Sequence, residues 1–387
     1  MSEGAYLDHA AASPLDPRVR EAMLPYLGEA FGSPSSLHDW GRAPAEALER
    51  ARAQVAALAG ADPDWVVFTS GATEARNLAV RGLLAGNRAR GRHVVASAVE
   101  HPATLAVCRS AEREGGALDL VRVDEEGRIA PPALAAALRD DTVLACVVHG
   151  QPDIGTLQDV PACVAAVRAA RPEVRVVIDA GETAGLVPVD AVGWDADAVV
   201  LGGGSIGGPS WTGALVVRPG ARLHPLIAGG LQEGGKRAGA ENLPGIVALG
   251  AAAELARAES PARAQRMRAL ARTLTDGLLA VPDVRLNGSP DARIPGHVQV
   301  SAGWVEGEAL ALHLAARGVA VSPGSACTVN GGKAAPALEA IGLEPPWTHS
   351  AVLFTLRVTT TEEEVARAVG AFAESVAALR AMSPLTP

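Results

Sequence analysis

Chemistry that runs through a neutral amine has two places to start in this chain. Lys236 and Lys333 are its only lysines, and the other 32 of its 34 basic residues are arginine. A guanidinium stays charged and forms no imine, so any Schiff base rests on one of those two side chains. A coding bias toward Ala, Gly, Arg and Val accounts for arginine on the surface, but it supplies no amine.

Four other stretches carry reactive or ligand-binding residue types. Thr69-Ser70-Gly71-Ala72-Thr73-Glu74 follows a strand pattern and opens a helical one. A helix N-terminus offers free N–H groups that suit a phosphate, although a plain N-cap with a nearby Glu reads the same way. Val176-Val177-Ile178-Asp179-Ala180 puts Asp179 at the carboxyl end of a buried strand, where open α/β sheets place ligand groups. A carboxylate there either meets a cation, such as a protonated ring nitrogen, or caps the next loop. His101, in Glu100-His101-Pro102, follows another strand and suits ring stacking, proton exchange or a structural place in its loop. Cys327 lies in Ser325-Ala326-Cys327-Thr328, before Val329-Asn330-Gly331-Gly332. Its small neighbours argue for a thiol that travels rather than one packed and inert.

The elements that must position these residues are legible in outline. From about residue 64 to 217, β-branched runs at 65–69, 93–98, 118–123, 143–148, 174–178, 198–201 and 213–218 alternate with helical runs at 75–84, 104–113, 131–138 and 160–170. That alternation predicts βαβ units around a mostly parallel sheet. Beyond it come two helical runs, 242–257 and 261–279, punctuated by Ser260-Pro261. Short strands at 284–286, 297–301 and 351–356 then lie among helices at 307–316 and 362–382. We expect a large α/β domain over 16–260, and a smaller α+β domain from 1–15 and 261–387 that carries the Cys327 loop.

Composition limits the function classes. The net charge of −9 over 387 residues gives no basic footprint for nucleic acid. No apolar run is long enough to predict a membrane span, and the early acids before residue 9 do not read as an export signal. Cys108, Cys146, Cys163 and Cys327 lack metal-type pairing and read as reduced thiols, so the expected location is cytoplasmic and no metal site is expected.

Taken in order, the motifs resemble the cysteine desulfurases of the class V aminotransferase family, fold type I enzymes that use pyridoxal phosphate. The resemblance runs almost end to end. It includes Tyr6-Leu7-Asp8-His9-Ala10-Ala11-Ala12, Gly71-Ala72-Thr73-Glu74 with Asn77-Leu78-Ala79, Glu100-His101, Gly155-Thr156, Arg237-Ala238-Gly239 and Gly324-Ser325-Ala326-Cys327-Thr328. It implies a mostly parallel seven-stranded-type sheet, a phosphate on Ala72 and Thr73, a ring stacked on His101 and paired with Asp179, and Cys327 as persulfide carrier. It also implies a dimer and a sulfur-acceptor protein as partners.

The departures bear on function. Where the resemblance implies Ser-(Gly/Ala)-His-Lys, this chain reads Gly202-Gly203-Gly204-Ser205, so Ser205 holds the place of the Schiff-base lysine. Gly202 replaces the phosphate-binding serine, Gly204 the histidine, and Gln151 to Asp153 the Asn-containing turn. Glu182 replaces a glutamine near the ring oxygen, Ala240 a threonine that reaches the partner subunit, and Leu353 the arginine for the substrate carboxylate. Arg357 lies four residues on, roughly 13 Å away along an extended strand. A hydroxyl forms no imine, so pyridoxal phosphate is expected only as a non-covalent ligand. Three functional expectations follow. The first is a degenerate desulfurase serving as scaffold, partner of an active desulfurase (as homo- or heterodimer) or sulfur-carrying subunit through Cys327. The second is an enzyme whose pocket is repurposed for non-covalent pyridoxal phosphate or another phosphorylated ligand. The third is an ordinary cysteine desulfurase making alanine and a persulfide.

Overall fold

The computed structural model describes residues 4–324 and 335–382. Cys327 and Lys333 lie outside the described residues. In chain order the elements are β1 (Ala5–Tyr6), α1 (Pro17–Met23), α2 (Asp39–Leu58), β2 (Val66–Thr69), α3 (Ala72–Gly86), β3 (His93–Ser97), α4 (Pro102–Arg113), β4 (Ala117–Val121), α5 (Pro131–Ala136), β5 (Thr142–Val148), α6 (Val160–Ala170), β6 (Arg175–Asp179), β7 (Ala198–Gly202) and β8 (Gly213–Val217). There follow α7 (Leu243–Leu279), β9 (Val284–Leu286), β10 (His297–Ala302), α8 (Gly307–Ala316), β11 (Val319–Ala320), α9 (Pro336–Ala340), β12 (Ala351–Thr355) and α10 (Glu362–Met382).

A seven-stranded sheet in the order β2-β8-β7-β6-β5-β3-β4 forms the centre. Only β8 runs antiparallel to its neighbours, β2 and β7; the remaining pairings are parallel. The β-branched runs are buried because helices cover both faces. Successive residues therefore enter different cores. Val95, Ala145, Val176 and Val199 pack with α2, α6 and α7, whereas Val94, Leu144, Val177 and Val200 pack with α3 and α4. The fold is α/β with a mostly parallel sheet flanked by helices.

A further core gathers the three-stranded sheet β12-β10-β9, α8 and α10, with Ala5 and Leu7 from the N-terminal segment. The long helix α7 serves both regions. Its first half, through Ala256, packs under the large sheet, and Leu270, Leu274 and Leu278 join the further core.

Here the break expected at Ser260-Pro261 gives way to one helix of 37 residues with Pro261 inside it. An interior proline forfeits one backbone hydrogen bond. Beside it, Glu259 pairs with Arg263 one turn on and with Arg18 of α1.

Candidate functional site

The carboxyl ends of β6 and β7, the start of α3 and the start of α4 converge on a cavity of about 700 Å³. Ala72, Thr73, His101, Glu182 and Ser205 line it, as do Arg76 and Arg357. Asp179 lies buried behind Arg76 at the end of β6. The structure thus brings together every sequence-predicted site residue within the described part of the chain.

The α3 entry is built by two glycines. Gly71 is the N-cap at φ +143°, and no side chain caps the helix. A Cβ on Gly213 of β8 would lie 2.7 Å from the Gly71 carbonyl carbon and 2.9 Å from the Ala72 nitrogen, so the strand passes directly beneath this turn. The nearby Glu74 does not cap the helix's own amides. It accepts from the Ser70 N–H at 2.8 Å and pairs with Arg237 at 3.0 Å. Among the described residues, no side chain caps the first amides of α3 at the cavity wall.

Asp179 has its cation within the chain. Arg76 Nε donates to Oδ2 at 2.7 Å and Nη2 donates to Oδ1 at 3.1 Å. Thr104 Oγ1 donates to Oδ2 at 3.0 Å, and the Gly181 N–H donates to Oδ1 at 3.1 Å, so Asp179 also caps its own loop. Burial pushes its carboxyl up, but the charge of Arg76 outweighs this and holds it below the ordinary value. Glu182 stands 3.7 Å from Arg76 Nη2, and desolvation raises its carboxyl.

His101 is the N-cap of α4, and its Nδ1 accepts from the Ala103 N–H at 3.0 Å. That bond places the ring proton on Nε2. Desolvation, then the charge of Arg76, lowers its pKa to about 4, so the ring is neutral near pH 7. The adjoining Glu100 is buried, with Oε1 accepting from Ser97 Oγ and the Val148 N–H, each at 2.7 Å. Oε2 has no partner among the described residues, and burial pushes the carboxyl up to about 8.

Ser205 sits in a 3-10 turn, Gly204–Ile206, just after β7, and its Oγ donates to the Gly202 carbonyl at 3.1 Å. Arg357 closes the same turn from below. Its Nη1 donates to the Ser205 carbonyl at 2.8 Å and its Nη2 to the Gly204 carbonyl at 3.3 Å. This corrects the expectation that four residues of extended chain carry Arg357 away. β12 ends at Thr355, and a turn closed by the Arg357 N–H donating to Thr360 Oγ1 brings the guanidinium back to the cavity.

Other departures lie outside the cavity wall. Gln151 folds onto its own loop, where Oε1 accepts from the Asp153 and Ile154 N–H groups at 2.6 and 2.7 Å. Leu353 is buried in β12, and Ala240 is exposed. Lys236 lines a separate cavity beside Arg52 and Glu233.

Sequence reading missed Arg76, although a signal was present. Arg76 falls on the buried stripe of α3 with Ala79, Val80 and Leu83, and an arginine on an apolar stripe demands a buried partner.

The aminotransferase class-V family model matches residues 5–368. The chain belongs to this family. Among its relatives, the cysteine desulfurase IscS of Methanosarcina thermophila is 38% identical over 386 residues, covering 100% of this chain and 95% of that protein. The cysteine desulfurase IscS of an Anaeromyxobacter species (strain Fw109-5) is 42% identical over 384 residues, covering 98% and 94%. A solved structure titled a NifS-like protein superposes with a TM-score of 0.91 at 28% identity, over 97% of this chain and 100% of that one. The family thus includes proteins named cysteine desulfurase that are similar to this chain along its whole length.

Members of the family use pyridoxal phosphate, and two features of this cavity do not fit it. Ser205 offers a hydroxyl where an imine needs an amine. Asp179 already accepts two hydrogen bonds on each oxygen. Among the described residues no group of His, Cys, Asp and Glu side chains is placed to hold a metal, and no helix is long and apolar enough to cross a membrane.

Proposed function

We propose that this chain is a cysteine desulfurase-family protein of sulfur metabolism that has lost ordinary pyridoxal-phosphate catalysis and acts as scaffold, partner or sulfur carrier. The observation that carries the proposal is Ser205, whose hydroxyl is buried and engaged with the Gly202 carbonyl. A serine hydroxyl is neither an imine-forming amine nor an effective base at neutral pH. In the carrier role, the Cys327 thiolate attacks the terminal sulfur of a donor persulfide, and the donor leaves as a thiolate. Incubation with an active desulfurase and cysteine, followed by mass analysis, tests this: persulfide on Cys327 supports the carrier role and its absence removes it.

Dimerisation belongs to the same proposal. Leu27, Phe31, Leu37 and Trp40 expose 63–105% of their surface, and Leu231 exposes 88%. A second copy of this chain, or of an active desulfurase, would cover them. The mass in solution, alone and with such a desulfurase, distinguishes these cases.

A second reading, an ordinary cysteine desulfurase, is supported by the relatives of that name at 37–42% identity over nearly the full chain. Alanine and sulfide released from cysteine by the purified chain with added pyridoxal phosphate would establish it. A colourless preparation that releases neither supports the first reading.

A further inference from the structure

The cavity has its own cation where the family's cofactor would bring one. Arg76 reaches Asp179 from α3 and makes two of the four hydrogen bonds that the carboxylate accepts; Thr104 and Gly181 make the others. Both side chains of the ion pair are 4% exposed. The guanidinium also lines the cavity and lies over the bare backbone of Gly181, where a Cβ would come within 2.6 Å of Nη2. On its other side stands Glu182, 3.7 Å from the same nitrogen.

Three consequences follow from chemistry alone. A carboxylate has about four lone-pair sites, and here each is directed at a donor already present. A guanidinium does not give up its proton in a protein, so the positive charge is permanent. A second cation brought against it in a desolvated site is repelled.

We infer that Arg76 is a specificity-determining residue: it takes the place of a protonated ring nitrogen as the counter-ion of Asp179 and makes the cavity reject pyridoxal phosphate. Ligands that suit the cavity carry no protonated ring nitrogen. The inference rests on the proposed loss of ordinary catalysis but concerns a different residue. Restoring the amine at Ser205 is not enough to restore the cofactor.

The test uses the full chain and its Ser205→Lys, Arg76→Gln and Ser205→Lys/Arg76→Gln variants. Each is incubated with pyridoxal phosphate, reduced with borohydride and analysed by peptide mass, with thermal melting to confirm folding. The expected result is little adduct at position 205 in Ser205→Lys, and a labelled fraction roughly tenfold higher or more in the double variant. Equal labelling of folded single and double variants overturns the inference. A second measurement needs no change at Arg76. The folded Ser205→Lys chain is offered pyridoxal phosphate and its analogue with C–H in place of the ring nitrogen. Preferential labelling by the analogue supports the inference, and equal or better labelling by pyridoxal phosphate overturns it. Alanine formation from cysteine by the native chain sinks the proposed function and this inference together, whereas equal labelling of the folded variants sinks this inference alone, so the two failures are distinguishable.

Discussion

At the scale of single residues, a buried charge must find its partner inside the protein, and Arg76 and Asp179 do so. Removing one member of such a pair leaves the other uncompensated. Arg76→Leu is expected to destabilise the fold by about 3–5 kcal/mol in chemical denaturation, and Arg76→Leu/Asp179→Leu by less than the sum of the single changes. An additive double variant would show that the pair is not coupled. Glu100 makes a second prediction. Its carboxyl is raised to about 8 by burial, so between the ordinary carboxylate value and about pH 8 the folded state binds more protons than the unfolded state. Stability from this site is therefore full below that window and is lost as pH rises through it. Measured against Glu100→Gln, the native chain should lose relative stability between pH 5 and 8, as read from the difference in urea midpoints; a difference that does not change with pH would contradict the assignment. Neither environment is readable locally. Asp179 lies 103 residues from Arg76, and periodicity reveals that a face is buried, not which charge faces it.

Elements were more legible than contacts. The runs read as strands at 93–98, 143–148 and 198–201 lie within a residue of β3, β5 and β7, because buried parallel strands are written as near-continuous β-branched runs. The two-residue strands β1 and β11 gave too short a pattern to detect. The helical runs on either side of Pro261 were readable, but their fusion into α7 was not, because its two halves are buried in two separate cores that the local sequence does not reveal. Helix packing supplies a prediction at this scale. A Cβ on Gly250 of α7 would lie 2.6 Å from the Ala51 Cα of α2, so these helices touch backbone to backbone. Gly250→Val should cost about 1–3 kcal/mol or more by overpacking, measured by thermal unfolding. A neutral effect would mean that the crossing is looser than described.

At the scale of the whole molecule, acid sensitivity should follow from buried neutral histidines. Desolvation lowers His9, His101 and His149 to about 4 each. A histidine with a depressed folded pKa binds fewer protons folded than unfolded, so its stability is present above about 6.5 and is lost as pH falls toward 4. The urea midpoint should drop across that window, and His149→Gln should reduce the drop; a midpoint independent of pH there would contradict the burial. The family and the sheet were legible end to end from motif order. The cavity's chemistry was only partly so. Ser205 was visible by alignment of motifs, but the turn that returns Arg357 beneath it was not, since chain direction after β12 is a tertiary property. The central claim is that Ser205 closes the ordinary route although the relatives carry the name cysteine desulfurase. Its most direct test is a cysteine assay of the purified chain with saturating pyridoxal phosphate. The account predicts no alanine above a protein-free control; stoichiometric or catalytic release of alanine and sulfide would contradict it.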